Sequence, residues 1–223
     1  MKYKKVLNQI KSRIKSDFTQ AQDSKLFFHN IDHTKKVVSR ALKIGRHYKL
    51  EPEAFFILLV AAWFHDVGYL YGTSEGHENR GAELAGTYLS GEGFDTNLIG
   101  SVKSTIITAT IESKPEQLLA RILCDADLYN LGTKTFFGQN ELVKMEHEWQ
   151  FKETISKQNW IIQTIGWMES HRFMTSYCQQ RLEIRKQKNL QKLRDKILVE
   201  PSQRLNSVNN KEVNLLVKKK KLR

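Results

Sequence analysis

Two cysteines are all that this 223-residue chain contains, with only three prolines and twelve glycines. Cys124 and Cys178 have neither the paired spacing of a thiolate metal site nor the number needed for a disulfide framework. That usage is expected in a reducing compartment, and the expectation is a cytoplasmic protein. So few chain breakers disfavour a fold of many short strands and turns, and no strand alternation or internal repeat is evident. Long apolar runs are missing too. The longest, Ala54 to Phe64, has eleven residues, against the roughly 20 that a membrane-spanning helix needs. It predicts a buried core helix and no transmembrane segment. The opening MKYKKVLNQIKSRIKSDF has no apolar segment of the signal-peptide kind.

Charge of one sign is abundant. The formal net charge is +12. Half of it lies between Pro201 and Arg223, where seven basic residues face Glu212 alone. A run such as VKKKKLR reads first as a solvated, flexible tail, and second as a weak contact for nucleic acid or an anionic surface. The rest of the chain stays basic, which suits a phosphorylated substrate.

Apolar residues recur at helical spacing. Val6, Leu7, Ile10 and Ile14 predict an amphipathic first helix. A second is expected from about Ile31 to Tyr48. A third starts at Pro52 in its first turn, where the missing N–H costs nothing. GYLYGTSEGHENRG reads as a loop after the third helix, well placed for a substrate mouth. Further helices are expected over 78–89 and 97–108, and from a capping box at Ser113 and Glu116 to near Gly132. The last three are expected over 133–148, 151–170 and 175–199. The fold class is all-α: a single domain over 1–200, with a motif-bearing core at 26–132 and C-terminal helices at 133–200, then a basic tail at 201–223. A homo-oligomer remains open.

The seven histidines are unevenly placed. FHNIDHT puts His29 and His33 four apart, on one face if the turn is helical. WFHDVGY sets His65 beside Asp66 at the end of the buried helix, and ILCDADLYNLG offers Asp125 and Asp127. Burying His and Asp in a bundle is costly unless they pair or bind metal. Three helices each delivering a ligand to one point remove that cost. Mixed imidazole and carboxylate ligands suit Mn, Fe, Co, Ni, Zn or Mg. His47, His147 and His171 lack such surroundings, and Trp149, Trp160, Trp167 and Phe173 read as core of the C-terminal helices.

His33, then His65-Asp66, then Asp127 resembles the H…HD…D signature of the HD-domain metal-dependent phosphohydrolases. FHNIDHT is similar to the Tyr-His-Asn-x-x-His stretch of the class I cyclic-nucleotide phosphodiesterases, with Phe28 in the tyrosine's place. The resemblance implies an HD-like helical bundle in which His33, His65, Asp66 and Asp127 hold a divalent metal ion, with Asp66 the one able to bridge two. It implies that a water activated by the metal attacks phosphorus, and that His29 protonates the leaving oxygen. The further histidines of dinuclear relatives are missing: Gly68 and Tyr69 follow the HD pair, and IITATIES has none. One ion is therefore expected rather than two. His77 resembles a ligand or catalytic histidine of some HD hydrolases, and Glu78 is a candidate to orient the water. Asn30, Arg80 and Lys114 are the expected substrate contacts, with Asn30 also a candidate to fix its turn. The substrate implied is a phosphate ester or anhydride, with a nucleotide favoured. Diester, monoester and pyrophosphate cleavage stay open. So does a sensing or scaffolding domain without turnover.

Overall fold

The structure is a computed structural model that describes residues 2–21, 25–110 and 115–197. Among these residues there are helices and no strands. The basic tail, Ser113 and Lys114 lie outside them.

Helix α1 (Lys2–Gln20) buries Val6, Ile10, Ile14 and Phe18, one residue per turn on a single stripe. Its Tyr3 ring stacks on Phe56 at 4.3 Å. Helix α2 (Ile31–His47) follows, and then α3 (Pro52–Phe64), in which every residue from Phe56 to Phe64 is buried. Each large apolar side chain buried there contributes about 1.5–3 kcal/mol. α3 is the axis of the bundle, in contact with α1, α2, α4 (His77–Gly91), α5 (Thr96–Thr108) and α6 (Leu118–Asp127). The stretch Pro52–Tyr71 has the length and composition of a membrane span, but 72% of it is buried within the bundle. It is the core helix that its apolar run predicts.

Several boundaries differ from the sequence reading. The glycine-rich stretch after α3 is not all loop: Val67–Tyr71 forms a 3-10 turn and α4 begins at His77. α6 begins at Leu118 and so excludes Glu116 of the expected capping box, and Gln117 at its N-cap makes no side-chain cap bond. A second 3-10 turn, Leu128–Gly132, ends that segment. Then come α7 (Phe136–Phe151), α8 (Lys157–Ser170) and α9 (residues 176–197). The expected helix from Phe151 starts six residues late. Lys152 turns left-handed at φ 51° and closes α7, and Ser156 caps α8 by accepting from Asn159 N–H.

Asp125 joins the C-terminal helices to the core. Its carboxylate accepts from Met174 N–H at 2.8 Å, Thr175 N–H at 2.7 Å and the Thr175 hydroxyl at 2.5 Å. It thereby anchors the chain just ahead of α9. Arg121 donates to the Met174 carbonyl, and Asn189 donates to the Leu131 and Thr133 carbonyls from the other side.

Candidate metal centre

Three helix ends meet at one point. His33 lies in the first turn of α2, whose N-cap is Asn30. The Asn30 side chain accepts from Asp32 N–H at 3.0 Å and His33 N–H at 3.1 Å, and donates to the Phe27 carbonyl at 2.9 Å. Its amide is committed to the backbone at both ends, so it fixes the turn that aims His33 and is not free for the substrate contact expected of it. His65 caps the C-terminus of α3, and Asp66 follows it. Asp127 is the last residue of α6.

His33 Nε2 lies 2.9 Å from Asp127 Oδ1 and 3.2 Å from Asp66 Oδ2, and His65 Nε2 lies 3.1 Å from Asp66 Oδ2 and 3.8 Å from Asp127 Oδ1. These lengths invite hydrogen bonds, yet the directions do not serve them. His33 Nε2, His65 Nε2 and Asp66 Oδ2 are buried without a hydrogen-bond partner. The three atoms lie together in one buried cluster. The His65 Nδ1 atom lies 2.9 Å from the Ala62 carbonyl, a contact that places the ring proton on Nδ1 and leaves Nε2 as the coordinating atom. His33, His65 and Asp127 each bring one ligand atom within 4.8 Å of the others. Three buried donors without partners around one point fit a divalent cation, and such a donor set accepts several first-row metals or Mg.

Electrostatics agree. Burial alone would lower the His65 pKa, but the negative charges of Asp66 and Asp127 beside it outweigh it and push it up to about 10. Burial would raise both carboxyl groups, but the neighbouring imidazoles hold Asp66 and Asp127 below the usual carboxylate range. Without a cation, protons supply the positive charge that the cluster demands.

A family model for the HD domain matches residues 30–131. Residues 30–131 are an HD domain. HD domains bind divalent metals, and most of the family are metal-dependent hydrolases. No curated protein and no solved structure matches the chain at a significant level.

The HD pair sits at the wall of a cavity of about 360 Å³ that His29, Tyr69, His77 and Glu78 also line. α4 reaches this wall because two glycines let it. A Cβ on Gly68 would stand 2.0 Å from the His77 carbonyl oxygen, and one on Gly81 would stand 2.5 Å from that of Phe64. The close approach brings His77 Nε2 to 3.9 Å from Asp66 Oδ1, the carboxylate oxygen turned away from His33 and His65. His77 Nδ1 lies 2.7 Å from the Ser74 carbonyl and 3.2 Å from Glu78 Oε2.

His29 is held by a residue that the sequence reading missed. Glu146, buried on α7, accepts from the backbone N–H groups of Phe28 at 2.8 Å and His29 at 3.0 Å. Its other oxygen pairs with His29 Nδ1. Burial would lower the His29 pKa, but this hydrogen bond and the charges of Asp66, Glu146 and Asp127 outweigh it and raise it. Tyr69 stacks on His29 with ring centroids 4.4 Å apart, and it meets the His77 ring at 4.1 Å, tilted by 35°. No spacing rule links Glu146 to a histidine 117 residues earlier. Nothing in the sequence sets Glu146 apart from Glu141 and Glu148 on the same helix.

Arg80 does not serve as the expected phosphate clamp. Its guanidinium donates to the carbonyls of Gly68 at 3.0 Å, Glu75 at 2.8 Å and Thr73. It ties down the loop between the 3-10 turn and α4. Two tryptophans read as core also take another place. Trp160 and the 40%-exposed Trp167 line a second cavity beside the metal centre.

Proposed function

We propose that this chain is a metal-dependent phosphohydrolase that cleaves a phosphate ester or anhydride of a small molecule, the substrate being a nucleotide. The observation that carries the reading is the set of buried, unpartnered His33 Nε2, His65 Nε2 and Asp66 Oδ2 atoms around one point, with Asp127 completing the donor set.

A divalent ion bound there supplies charge for a phosphate oxygen and a nucleophilic water at neutral pH. His33, His65, Asp66 and Asp127 hold it; the first three are buried, and the half-buried Asp127 stands at the cavity side. His29 gives a proton to the departing oxygen. Glu146 keeps its ring proton on Nδ1 in the neutral form and stabilises the imidazolium that donates from Nε2. Tyr69 fixes the plane of that ring. His77 and Glu78, at the opposite wall, orient the attacking water.

The test is metal content together with turnover of a nucleotide panel and bis(p-nitrophenyl) phosphate, beside Asp66→Ala. Stoichiometric metal and Mn- or Co-stimulated cleavage in the parent, both lost in the variant, are expected. Metal without turnover of any ester would move the reading to a sensing domain. Absence of both would sink the metal site as well.

A further inference from the structure

A cavity of about 320 Å³ opens between α7 and α8, and it adjoins the metal cavity: His29, Asp127, Leu128 and Trp167 line both. Its size and position are those of a small-molecule site. Phe28, Phe136, Trp160 and Trp167 supply aromatic wall, and no Lys or Arg is among the residues lining it. A second phosphate would find no lysine or arginine there. A flat uncharged group would find ring faces to pack on.

The polar atoms narrow the choice. Trp160 is nine-tenths buried, and its Nε1–H has no acceptor. A buried indole N–H normally finds a partner. The Asn140 amide, also in the wall, makes only a 3.5 Å contact to the Thr164 hydroxyl. The Gln163 amide stands exposed at the rim. The Trp160 Nε1 atom is itself sealed from the chamber, so Trp160 offers its ring there. The Asn140 and Gln163 amides would go unused by a plain hydrocarbon, whereas a ring with acceptor atoms on its edge would engage them.

We propose that this chamber seats the organic group of the substrate, and that this group is an uncharged planar heteroaromatic ring with hydrogen-bond acceptors on its edge. The Trp160 ring packs against it, Asn140 reads the edge, and the phosphate reaches back past His29 to the metal centre. The placement of the phosphate rests on the phosphohydrolase reading; the ring site does not.

The experiment uses phosphate-free probes on the full chain. Binding of adenosine, cytidine and ribose at up to millimolar concentration is followed by ligand-observed NMR and calorimetry, with and without Mn. The variants are Val143→Trp, which fills the chamber from α7, and Trp160→Phe, which keeps a ring and trims the aromatic wall. Metal content and thermal unfolding verify that each is folded. At least one nucleoside is expected to bind where ribose does not, about tenfold more weakly in V143W and severalfold more weakly in W160F, with metal content unchanged. Nucleoside binding that survives V143W intact, or that is no tighter than ribose binding, overturns the proposal. Turnover separates the two readings. Nucleoside binding without turnover of any ester sinks the hydrolase reading and keeps the ring site. Equal kcat/KM for a nucleoside monophosphate and glycerol 2-phosphate, unaltered in V143W, keeps the hydrolase and sinks the ring site.

Discussion

Supplying a divalent cation should stabilise the fold, and the gain should grow with pH. At free metal one hundred times its dissociation constant, ligand linkage contributes about 2.7 kcal/mol. For a domain of this size each kcal/mol moves Tm by about 2–4 °C, so the shift should be about 5–11 °C. The pH dependence follows from the metal-free cluster. His65 there has its pKa pushed up to about 10 by Asp66 and Asp127 against burial. Below that pH the metal-free state holds a proton that the metal-bound state cannot. Raising the pH removes this competitor. Apparent affinity should therefore rise by up to tenfold per pH unit between about 6 and 9, which is about 1.4 kcal/mol per unit at fixed free metal. The assay is thermal unfolding with Mn at buffered free concentration, repeated at several pH values, with calorimetry in buffers of different ionisation enthalpy to count released protons. Asp127→Asn should lose most of the shift. An equal shift in that variant, or one independent of pH with no proton released, would refute the assignment of these residues as ligands.

Three further outcomes are expected. Glu146→Gln should leave metal content intact and lower kcat by about 100-fold or more, within the usual range for a general acid. Because Glu146 helps to raise the His29 pKa, the alkaline limb of the pH profile should move to lower pH; an unchanged limb argues against His29 as the acid. Gly68→Ala forces a Cβ to within 2.0 Å of the His77 carbonyl, so α4 must shift, at a cost of about 1–3 kcal/mol by denaturant unfolding; a neutral result would show that the approach of α4 is not tight. His171 is buried, with its pKa lowered to about 4 by burial first and Lys186 second. An unfolded histidine titrates near 6.5, so the stability tied to its neutral form is complete above that pH and is lost as pH falls through 4. That amounts to about 3 kcal/mol, and His171→Gln should flatten the slope of stability between pH 6.5 and 4.

The sequence carried the core, and the gathering of His33, His65 and Asp127 into one group that could hold a metal, because each rests on local spacing. The apolar run Phe56 to Phe64 could only be the bundle axis, and its end had to carry His65 and Asp66 inward. The cap at Asn30 and the helical register put His33 beside them. What stayed hidden depends on contacts distant in the chain. Glu146 meets His29 across 117 residues, and Arg80 turns back on backbone carbonyls that no pattern marks as acceptors. Trp160 and Trp167 read as core because an aromatic at helical spacing looks the same whether it faces a packed neighbour or a chamber wall. The boundary between α7 and α8 was missed because it is set by a left-handed lysine, Lys152, and not by glycine or proline.

This division between local and distant contacts also divides the chemistry. All four expected metal donors come from residues up to Asp127, within the HD domain. The carboxylate on His29 and two of the tryptophans beside the metal come from α7 and α8, outside the matched segment. Those helices are held to the core by separate contacts, among them Glu146 on the Phe28–His29 backbone and Asp125 on the chain ahead of α9. Substitutions at Val143 should therefore act additively with those at His65 and Asp66, which do not line the chamber. Val143→Trp and Asp66→Ala should respectively alter selectivity at constant metal content and abolish metal binding at constant ring affinity. Loss of nucleoside binding in Asp66→Ala would mean that the two cavities are one cooperative unit, and the ring could not then be said to recognise the chamber on its own.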